Sequence, residues 1–339
     1  MAYPRSPQSR VVLAVGTVAL VAIACTPSQP VRRSVQKRPT APSPAPSVSP
    51  SLASNIVWVA AEIGRRVVQV NVDDGRLLGA FDVRGRPHNL TVAADGTVIV
   101  TLQRAGRIAI IRGDRIRHVR LGGSPHDVKI AGRMAVVTNE GAARLDLVTL
   151  RGRVEARIPL RANPHDVAVS PAGTVAWVTL DGTDEIAVVS LRRREVLRYF
   201  STGERPHDVL FAPDGRRVWI TDWDDGIHVY SRGGALVKTI PRGAEPHHLA
   251  FTPDGDQVWI TDHGSDRVLI LSTRALRPVA GSSIGGAPHH LAITPDGKRA
   301  VIANHDRGTL VVFDVATRRP IGTIAVGAGP HGVWAVPEA

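Results

Sequence analysis

Residues 246–255 read Pro-His-His-Leu-Ala-Phe-Thr-Pro-Asp-Gly, and the Pro-His pair that opens this stretch recurs through the chain. The pairs begin at Pro87, Pro125, Pro164, Pro206, Pro246, Pro288 and Pro330. Successive prolines lie 38, 39, 42, 40, 42 and 42 residues apart, by subtraction of their residue numbers. Seven copies at so regular a spacing indicate a repeat architecture with one structural unit per copy.

Each repeat carries the pattern of four antiparallel strands. A short alternating run follows Pro-His and ends at a Pro-Asp-Gly turn, as at residues 253–255 and 295–297. Asp-Gly between alternating runs is a strong hairpin signal, because glycine tolerates the positive φ that the turn requires. A second run follows and commonly ends in Thr, and two further apolar runs complete the unit. Four strands in about forty residues predict one blade of a β-propeller.

The two ends of the repeat region predict that the propeller closes on itself. The last repeat stops after its first strand, at residues 332–336, while three strands without partners precede the first Pro-His, at residues 56–59, 67–72 and 77–83. Joined, they make a seventh blade and leave no sheet edge open. We therefore predict an all-β fold for residues 54–339, a seven-bladed β-propeller with four-stranded blades.

The repeat resembles the YVTN-type propeller repeat, also called the YncE-like or surface-layer repeat. The resemblance rests on the Pro-x-x-[Leu/Val] start and the Pro-Asp-Gly turn, and it covers about residues 54–339. The second repeat departs from the pattern, with Ala131-Gly132 where the Pro-Asp-Gly turn should be. The resemblance implies the fold and says little about function, since this broad superfamily includes binding proteins and several unrelated enzymes.

The N-terminal region has the pattern of an export signal. Arg5 and Arg10 precede an apolar run at residues 11–24, which is short for a membrane span and typical of a signal peptide. Cys25, the only cysteine, follows directly, which resembles the lipobox of bacterial lipoproteins, where the cysteine becomes the acylated first residue. We predict a signal peptide at residues 1–24 and a lipid anchor on Cys25, on the extracytoplasmic side. Simple secretion and a retained anchor are the alternatives.

A tether is predicted between the anchor and the propeller. Residues 25–53 are rich in Pro and Ser and lack the apolar residues needed to fold. The whole chain is basic, with 42 Lys+Arg against 30 Asp+Glu and a net charge of +12. Because the arginines are scattered singly through the repeats, we expect no nucleic-acid partner. The expected partner is the cell membrane, reached through the lipid, and the expected state is a monomer.

The strand order predicts that most histidines lie on one face. Pro-His begins the innermost strand, and the second strand returns to the same face, so the residues after that second strand share it. These residues are Glu62, Gln103, Glu140, Asp181, Trp223, His263 and His305. Eleven of the thirteen histidines are expected on this face, and His118 and His228 are expected elsewhere.

Two interpretations apply to these histidines. A histidine present in every blade is expected to be architectural, with a ring nitrogen bonded to the neighbouring blade. We assign this role to most members of the Pro-His set, which includes His88, His126, His165, His207 and His331. The residue after Pro-His is Asn or Asp in the first four repeats and histidine in the fifth and sixth, which also carry a histidine after the second strand. We predict a ligand or metal site there, formed by His247, His248, His263, His289, His290 and His305.

Imidazoles grouped in this way suit a divalent transition metal such as zinc or copper. The alternative is that His248 and His290 only replace Asp as hydrogen-bond partners. The sequence contains no Gly-x-Ser-x-Gly and no phosphate-binding glycine loop. The first hypothesis is therefore a non-enzymatic binding or scaffold protein of the cell envelope, whose histidine face takes a small molecule, a metal or an envelope protein. The second is a metal-dependent hydrolase, lyase or oxidoreductase that uses the same face.

Overall fold

The computed structural model describes residues 55–241 and 243–336. The predicted signal peptide, Cys25 and the tether lie outside the described residues. The described chain forms seven four-stranded antiparallel sheets. Two short 3-10 turns, Gln103–Ala105 and Glu140–Ala142, follow second strands. None of the helices in the described part of the chain has the length and apolar character required to span a bilayer.

The first strands of the chain are β1 (Ile56–Ala61), β2 (Arg66–Asn71) and β3 (Leu77–Asp82). Blade one contains β4 (Leu90–Val92), β5 (Val98–Leu102), β6 (Arg107–Arg112) and β7 (Arg115–Arg120). Blade two contains β8 (Pro125–Ala131), β9 (Met134–Asn139), β10 (Arg144–Thr149) and β11 (Val154–Pro159). Blade three contains β12 (Asn163–Val169), β13 (Val175–Asp181), β14 (Glu185–Ser190) and β15 (Glu195–Ser201).

Blade four contains β16 (Pro206–Phe211), β17 (Arg217–Asp222), β18 (Gly226–Ser231) and β19 (Leu236–Ile240). Blade five contains β20 (Pro246–Phe251), β21 (Gln257–Asp262), β22 (Arg267–Ser272) and β23 (Arg277–Ser283). Blade six contains β24 (Pro288–Ile293), β25 (Arg299–Asn304), β26 (Thr309–Asp314) and β27 (Arg319–Ala325). The last strand is β28 (Pro330–Ala335).

The seventh blade is shared by the two ends of the described chain, as predicted. Its strands run in the order β28-β1-β2-β3. β28 pairs antiparallel with β1, with Trp58 opposite Trp334 and Val59 opposite Val333. The prediction of seven four-stranded blades in a closed ring is therefore confirmed.

The hydrophobic core of the described residues lies between the blades. It divides into seven clusters, and each joins the apolar side chains of two adjacent blades. Trp177, Trp219 and Trp259, on the second strands of blades three to five, are fully buried in this core. Burying one aromatic side chain stabilises a fold by about 1.5–3 kcal/mol, so these residues hold neighbouring sheets together.

The turns opposite the histidine face follow the sequence pattern. Gly255 has a φ of +74°, and the carboxylate of Asp254 accepts a hydrogen bond from the Asp256 N–H at 3.0 Å. In blade two, where the Pro-Asp-Gly signal is missing, Gly132 takes a φ of +59° between β8 and β9. A glycine with positive φ thus keeps the hairpin although the rest of the motif is lost.

A threonine on the second strand links neighbouring blades through the backbone of Pro-His. Thr138 donates its hydroxyl to the carbonyl of His165 in the next blade at 2.7 Å and accepts the Asp127 N–H of its own blade at 2.8 Å. Equivalent bonds to a histidine carbonyl join Thr101 to His126, Thr179 to His207 and Thr221 to His247. These bonds fix the start of the inner strand in blades two to five, and the imidazoles take no part in them.

Candidate functional site

The seven Pro-His imidazoles meet in a closed circle, which we call the histidine ring. Its members, in order, are His88, His126, His165, His207, His247, His289 and His331. Every neighbouring pair is in contact, with centroid separations from 3.9 Å for His88 and His331 to 5.0 Å for His247 and His289. The sevenfold repeat therefore places one imidazole per blade at the mouth of the central channel.

Few nitrogens of the histidine ring are used in hydrogen bonds. Nε2 of His88 lies 2.9 Å from Nε2 of His126, and Nδ1 of His126 lies 3.1 Å from the His165 carbonyl oxygen. The buried Nδ1 atoms without a hydrogen-bond partner in the described chain belong to His88, His165, His207, His247, His289 and His331. The expected bond from a ring nitrogen to the next blade's backbone thus occurs at His126. Threonine hydroxyls bond the backbone carbonyls of four ring histidines, and the unpartnered ring nitrogens are available for a ligand.

The residues that follow the second strands surround the histidine ring, and we call them the outer layer. They are Glu62, Gln103, Glu140, Asp181, Trp223, His263 and His305. Glu140 accepts a hydrogen bond from the Gln103 amide at 2.9 Å and lies 3.8 Å from Nε2 of His126. Trp223 stacks on His207 with a centroid separation of 4.7 Å. The outer layer is therefore acidic in blades seven, two and three, bears an amide in blade one, and is aromatic or imidazole-bearing in blades four to six.

The six histidines predicted as a site divide between two sides of the histidine ring. His263 contacts His247 and His289, at centroid distances of 5.4 and 4.9 Å, and His305 contacts His289 at 4.8 Å. We call these four residues the outer sector. The side chains of His263 and His305 are 33% and 23% exposed. The ring centroids of His248 and His290 instead lie 3.3 Å apart, on the inner side of the histidine ring.

The residues after each Pro-His pair form this inner layer. They are Asn89, Asp127, Asp166, Asp208, His248 and His290. The Asn89 amide donates to Asp127 at 3.3 Å, and Lys129 bonds both oxygens of the same carboxylate at 2.8 and 2.7 Å. Blade seven has Gly332 at this position, and a Cβ atom added to it would lie 2.9 Å from the His88 carbonyl oxygen. A side chain at this one position would not fit.

Most imidazoles on this face are held neutral. Burial lowers the pKa of His126 to about 3, and the neighbouring His165 and His88 add to the effect. Burial also lowers the pKa of His289 to about 2, with further contributions from His263 and His305. The same two causes, burial and adjacent imidazoles, hold the pKa well below the ordinary value at four more positions, His207, His247, His290 and His331. Neutral imidazole is the form that binds metal.

At His165, a neighbouring carboxylate raises the pKa of the imidazole above its ordinary value. Burial opposes the charge of His165, but Asp166 beside it raises its pKa to about 9. Burial would raise the pKa of Asp166, but the charge of His165 outweighs it and holds that pKa well below the ordinary value. Burial also raises the pKa of Glu140, against the opposing charge of His165. Blades two and three therefore hold both a cationic imidazole and a carboxylate with altered acidity.

A cavity of about 330 Å³ lies directly below the inner layer. Lys129, Asp208, His248 and His290 line its polar part, and the rest of the wall is mainly apolar and includes Trp334. It also reaches turn residues of the opposite face, such as Pro213. The inner layer therefore separates the histidine face from an apolar chamber in the channel.

Potential metal ligands converge most tightly between blades two and five. Four groups have ligand atoms within 4.8 Å of one another in the described chain: His207/His247/His248, His126/Glu140/His165, His165/Asp166/His207 and Asp166/Asp208/His248. His247 and His248 from the predicted site occur in them, and His263, His289, His290 and His305 do not. Imidazole and carboxylate together suit divalent transition metals.

Sequence reasoning missed the role of the inner-layer carboxylates. Asp127, Asp166 and Asp208 recur directly after Pro-His, and this position was interpreted as the ordinary form of the repeat. Their recurrence at the channel, together with the single Lys129 two residues after Asp127, was the available signal. A position on the innermost strand of several blades brings like charges together even when they are forty residues apart in sequence.

The fold and this site define the molecule as a seven-bladed propeller with a polar, histidine-lined channel mouth. The profile of the YNCE-like beta-propeller family matches residues 155–339. The chain belongs to this family. No curated protein sequence matches the chain.

Solved structures that share the fold have varied functions. Hydrazine synthase of Kuenenia stuttgartiensis superposes with a TM-score of 0.71 at 20% identity, covering 77% of this chain and 93% of that one. The dihydro-heme d1 dehydrogenase NirN in complex with DHE superposes with a TM-score of 0.62 at 17% identity, over 83% of this chain and 75% of that one. A streptogramin B lyase superposes with a TM-score of 0.64 at 16% identity, over 74% of this chain and 90% of that one. At these identities the similarity shows the fold alone.

Proposed function

We propose that this chain is an exported propeller of the cell envelope, anchored by a lipid on Cys25, that binds a transition-metal ion, zinc or copper, at the histidine ring. The observation that carries the proposal is the closed ring of seven imidazoles, extended by His263 and His305 in blades five and six. On this proposal the protein is a monomeric binding or scaffold protein, its repeat is of the surface-layer type, and the tether holds the propeller away from the membrane.

The rings of the outer sector are close enough to be turned toward one ion, and side-chain rotation would have to bring their nitrogens together, because no three of them converge within 4.8 Å in the described chain. Two imidazoles bound to one tetrahedral Zn²⁺, through bonds of about 2.0–2.1 Å, have ring centroids roughly 5 Å apart. The four contacting ring pairs among His247, His263, His289 and His305 have centroid separations from 4.8 to 5.4 Å. The lowered pKa values of His247 and His289 keep both rings in the neutral form that coordinates a metal.

Metal content and thermal melting of the purified full-length chain test this proposal. After treatment with EDTA and incubation with Zn²⁺ or Cu²⁺, we expect at least one ion per chain by mass spectrometry. Free metal at a hundredfold excess over Kd stabilises the folded state by about 2.7 kcal/mol. For a domain of this size that gain raises the melting temperature by roughly 4–5 °C.

A matched pair of variants locates the site. His263→Gln combined with His305→Gln removes two partly exposed ligands and should abolish most of the metal-induced shift while the metal-free melt stays close to that of the parent. His118→Gln is the control, because His118 lies outside the face and contacts the Val83 carbonyl oxygen. A parent chain that takes up neither ion would overturn the proposed function.

Glu140 supports a second candidate, a metal-dependent hydrolase, lyase or oxidoreductase. Its carboxylate lies 3.8 Å from His126 and 4.0 Å from His165, and burial raises its pKa. A carboxylate of raised pKa beside the neutral imidazole of His126 suits a general base. Metal-loaded protein should then hydrolyse an activated ester such as p-nitrophenyl acetate faster than metal-free protein, and Glu140→Gln should remove that difference while metal content is kept. Equal rates with and without metal would count against this hydrolytic form.

A further inference from the structure

We propose that the inner layer contains a second cation site, centred on Asp166, which takes a divalent first-row transition ion with mixed oxygen and nitrogen ligands, such as Mn²⁺ or Fe²⁺. The ligand atoms are the Asp166 carboxylate and Nδ1 of His207 and His248, with Asp208 beside them, and His165 joins them once the ion displaces its proton. The site goes beyond the proposed function, because it lies on the opposite side of the histidine ring and includes none of the outer sector.

Asp166 is a buried carboxylate without hydrogen-bond donors. It is 1% exposed, and neither of its oxygens has a hydrogen-bond partner among the described residues. The equivalent residues are satisfied: Lys129 and the Val167 N–H bond Asp127, and two backbone N–H groups bond Asp208. An ionised carboxylate removed from water is costly unless a cation faces it. His165 is the cation beside Asp166, but Asp166 is the one inner-layer carboxylate of the described chain with no hydrogen bond to either oxygen, so a metal ion can take the place of the His165 proton.

Four imidazole nitrogens surround this carboxylate at distances that suit shared coordination. Nδ1 of His126 lies 3.4 Å from Oδ1 of Asp166, and Nδ1 of His165 lies 3.5 Å from Oδ2. Nδ1 of His248 and of His207 lie 3.7 and 3.9 Å from the same Oδ2. These contacts are longer than good hydrogen bonds. Ligand atoms bound to one ion through bonds of about 2.1 Å are roughly 3.0–3.4 Å apart, so a small contraction would bring the set to an ion.

Asp208 provides a second oxygen at the same place. Its Oδ2 lies 3.3 Å from Nδ1 of His248 and accepts the Leu249 N–H at 2.8 Å. A carboxylate oxygen has two lone pairs, so that bond leaves one free for a metal. The inner layer as a whole holds three aspartates and one lysine, so its fixed charge is negative before the imidazoles are counted. Negative charge with mixed donors favours a cation over an anionic or apolar ligand.

Mn²⁺ binding to the EDTA-treated full-length chain, followed by electron paramagnetic resonance, tests the inner site. We expect one bound Mn²⁺ per parent chain and an affinity at least about a hundredfold weaker in Asp166→Asn, since loss of a ligand should exceed the effect of losing a supporting residue. Asp127→Asn is the matched control, because it removes a carboxylate from the same layer that is already bonded to Lys129. This control should keep its Mn²⁺ affinity within a few-fold.

Variants of the two sites distinguish the inner cation site from the outer sector. The His263→Gln/His305→Gln variant should lose Zn²⁺ binding and keep the Mn²⁺ signal, whereas Asp166→Asn should do the reverse. Should Asp166→Asn fail to fold by circular dichroism, His248→Gln removes one ligand and is expected to weaken Mn²⁺ at least tenfold. A parent chain that binds no Mn²⁺ up to 1 mM, or folded Asp166→Asn or His248→Gln protein with parental affinity, overturns the inner site. Mn²⁺ binding without Zn²⁺ binding would overturn the outer site only.

Discussion

Acidification of the metal-free chain tests how the buried imidazoles are held. Six histidines of the face have lowered pKa values in the folded protein, through burial and neighbouring imidazoles: His126, His207, His247, His289, His290 and His331. The unfolded chain takes up protons at these positions near pH 6.5, and the folded chain does not. Their stability contribution is therefore present above about pH 6.5 and is lost as the pH falls toward the folded pKa values.

The expected loss is large. An imidazole that stays neutral in the fold and has a pKa of about 6.5 when unfolded destabilises the folded state by about 1.3 kcal/mol between pH 7 and pH 5.5. His126 and His289, with folded values of about 3 and 2, account for about 2.5 kcal/mol by the same relation. The four other histidines, His207, His247, His290 and His331, lower the stability in the same direction. His165 acts in the opposite direction, because its pKa is raised to about 9, and it returns about 0.8 kcal/mol over this range.

Urea unfolding followed by tryptophan fluorescence, in EDTA at pH 7, 6.25 and 5.5, measures this loss. The free energy of unfolding of the parent should fall by at least about 1.7 kcal/mol between pH 7 and pH 5.5, the net effect of His126, His289 and His165. His289→Gln should reduce the loss between pH 7 and 5.5 by about 1.3 kcal/mol, since it removes one proton-binding group. His118→Gln, outside the face, is the control. A pH-independent midpoint in the parent, or a parental pH dependence in His289→Gln, would refute the reasoning.

Three further predictions concern the fold and its attachment. Thr138→Val, which removes the bond to the His165 carbonyl and leaves a buried acceptor unpaired, should cost about 1–3 kcal/mol in urea unfolding at pH 7; a loss within measurement error would mean that this bond does not hold the blades. A chain that ends before Pro330 loses β28 and should unfold as a whole at a much lower temperature, and melting within a few degrees of the parent would contradict closure by the shared blade. Cys25→Ala should release the protein from membrane fractions or block its processing, and unchanged fractionation and gel mobility would contradict the lipid anchor.

The fold could be predicted because the same strand pattern recurs through the chain with seven Pro-His pairs. A single weak hairpin signal, such as Ala131-Gly132 in blade two, does not matter when the neighbouring repeats fix the period, and Gly132 still supplies the positive φ. Closure followed from the partial repeats at the two ends of the propeller region. Residues at the same position of different repeats occupy equivalent places in the structure, because every blade has the same orientation relative to the channel.

The histidine face could be predicted only in part. Strand order brings the Pro-His residues and His263 and His305 to one face, and the structure places them there. The sequence does not say which nitrogen of each ring has a partner, because that depends on the threonine bonds that use the histidine carbonyls. In the sequence, Asp166 has the same position directly after Pro-His as Asp127 and Asp208. Only the three-dimensional structure distinguishes them, through Lys129 and the backbone donors that reach two of the three.

The departures from sevenfold symmetry determine where a cation can bind. Seven aspartates after Pro-His would place seven negative charges around one narrow channel, and their repulsion would be too costly to bury. The chain has Asn89 and Gly332 at two of these positions and His248 and His290 at two others, so the three carboxylates all belong to blades two to four. Lys129 neutralises the first of them at Asp127. The remaining charge lies at Asp166 and Asp208, directly beside the imidazole of His248. This boundary between the acidic and the imidazole-bearing blades combines oxygen and nitrogen donors, so the asymmetry of the repeat places the inner cation site there.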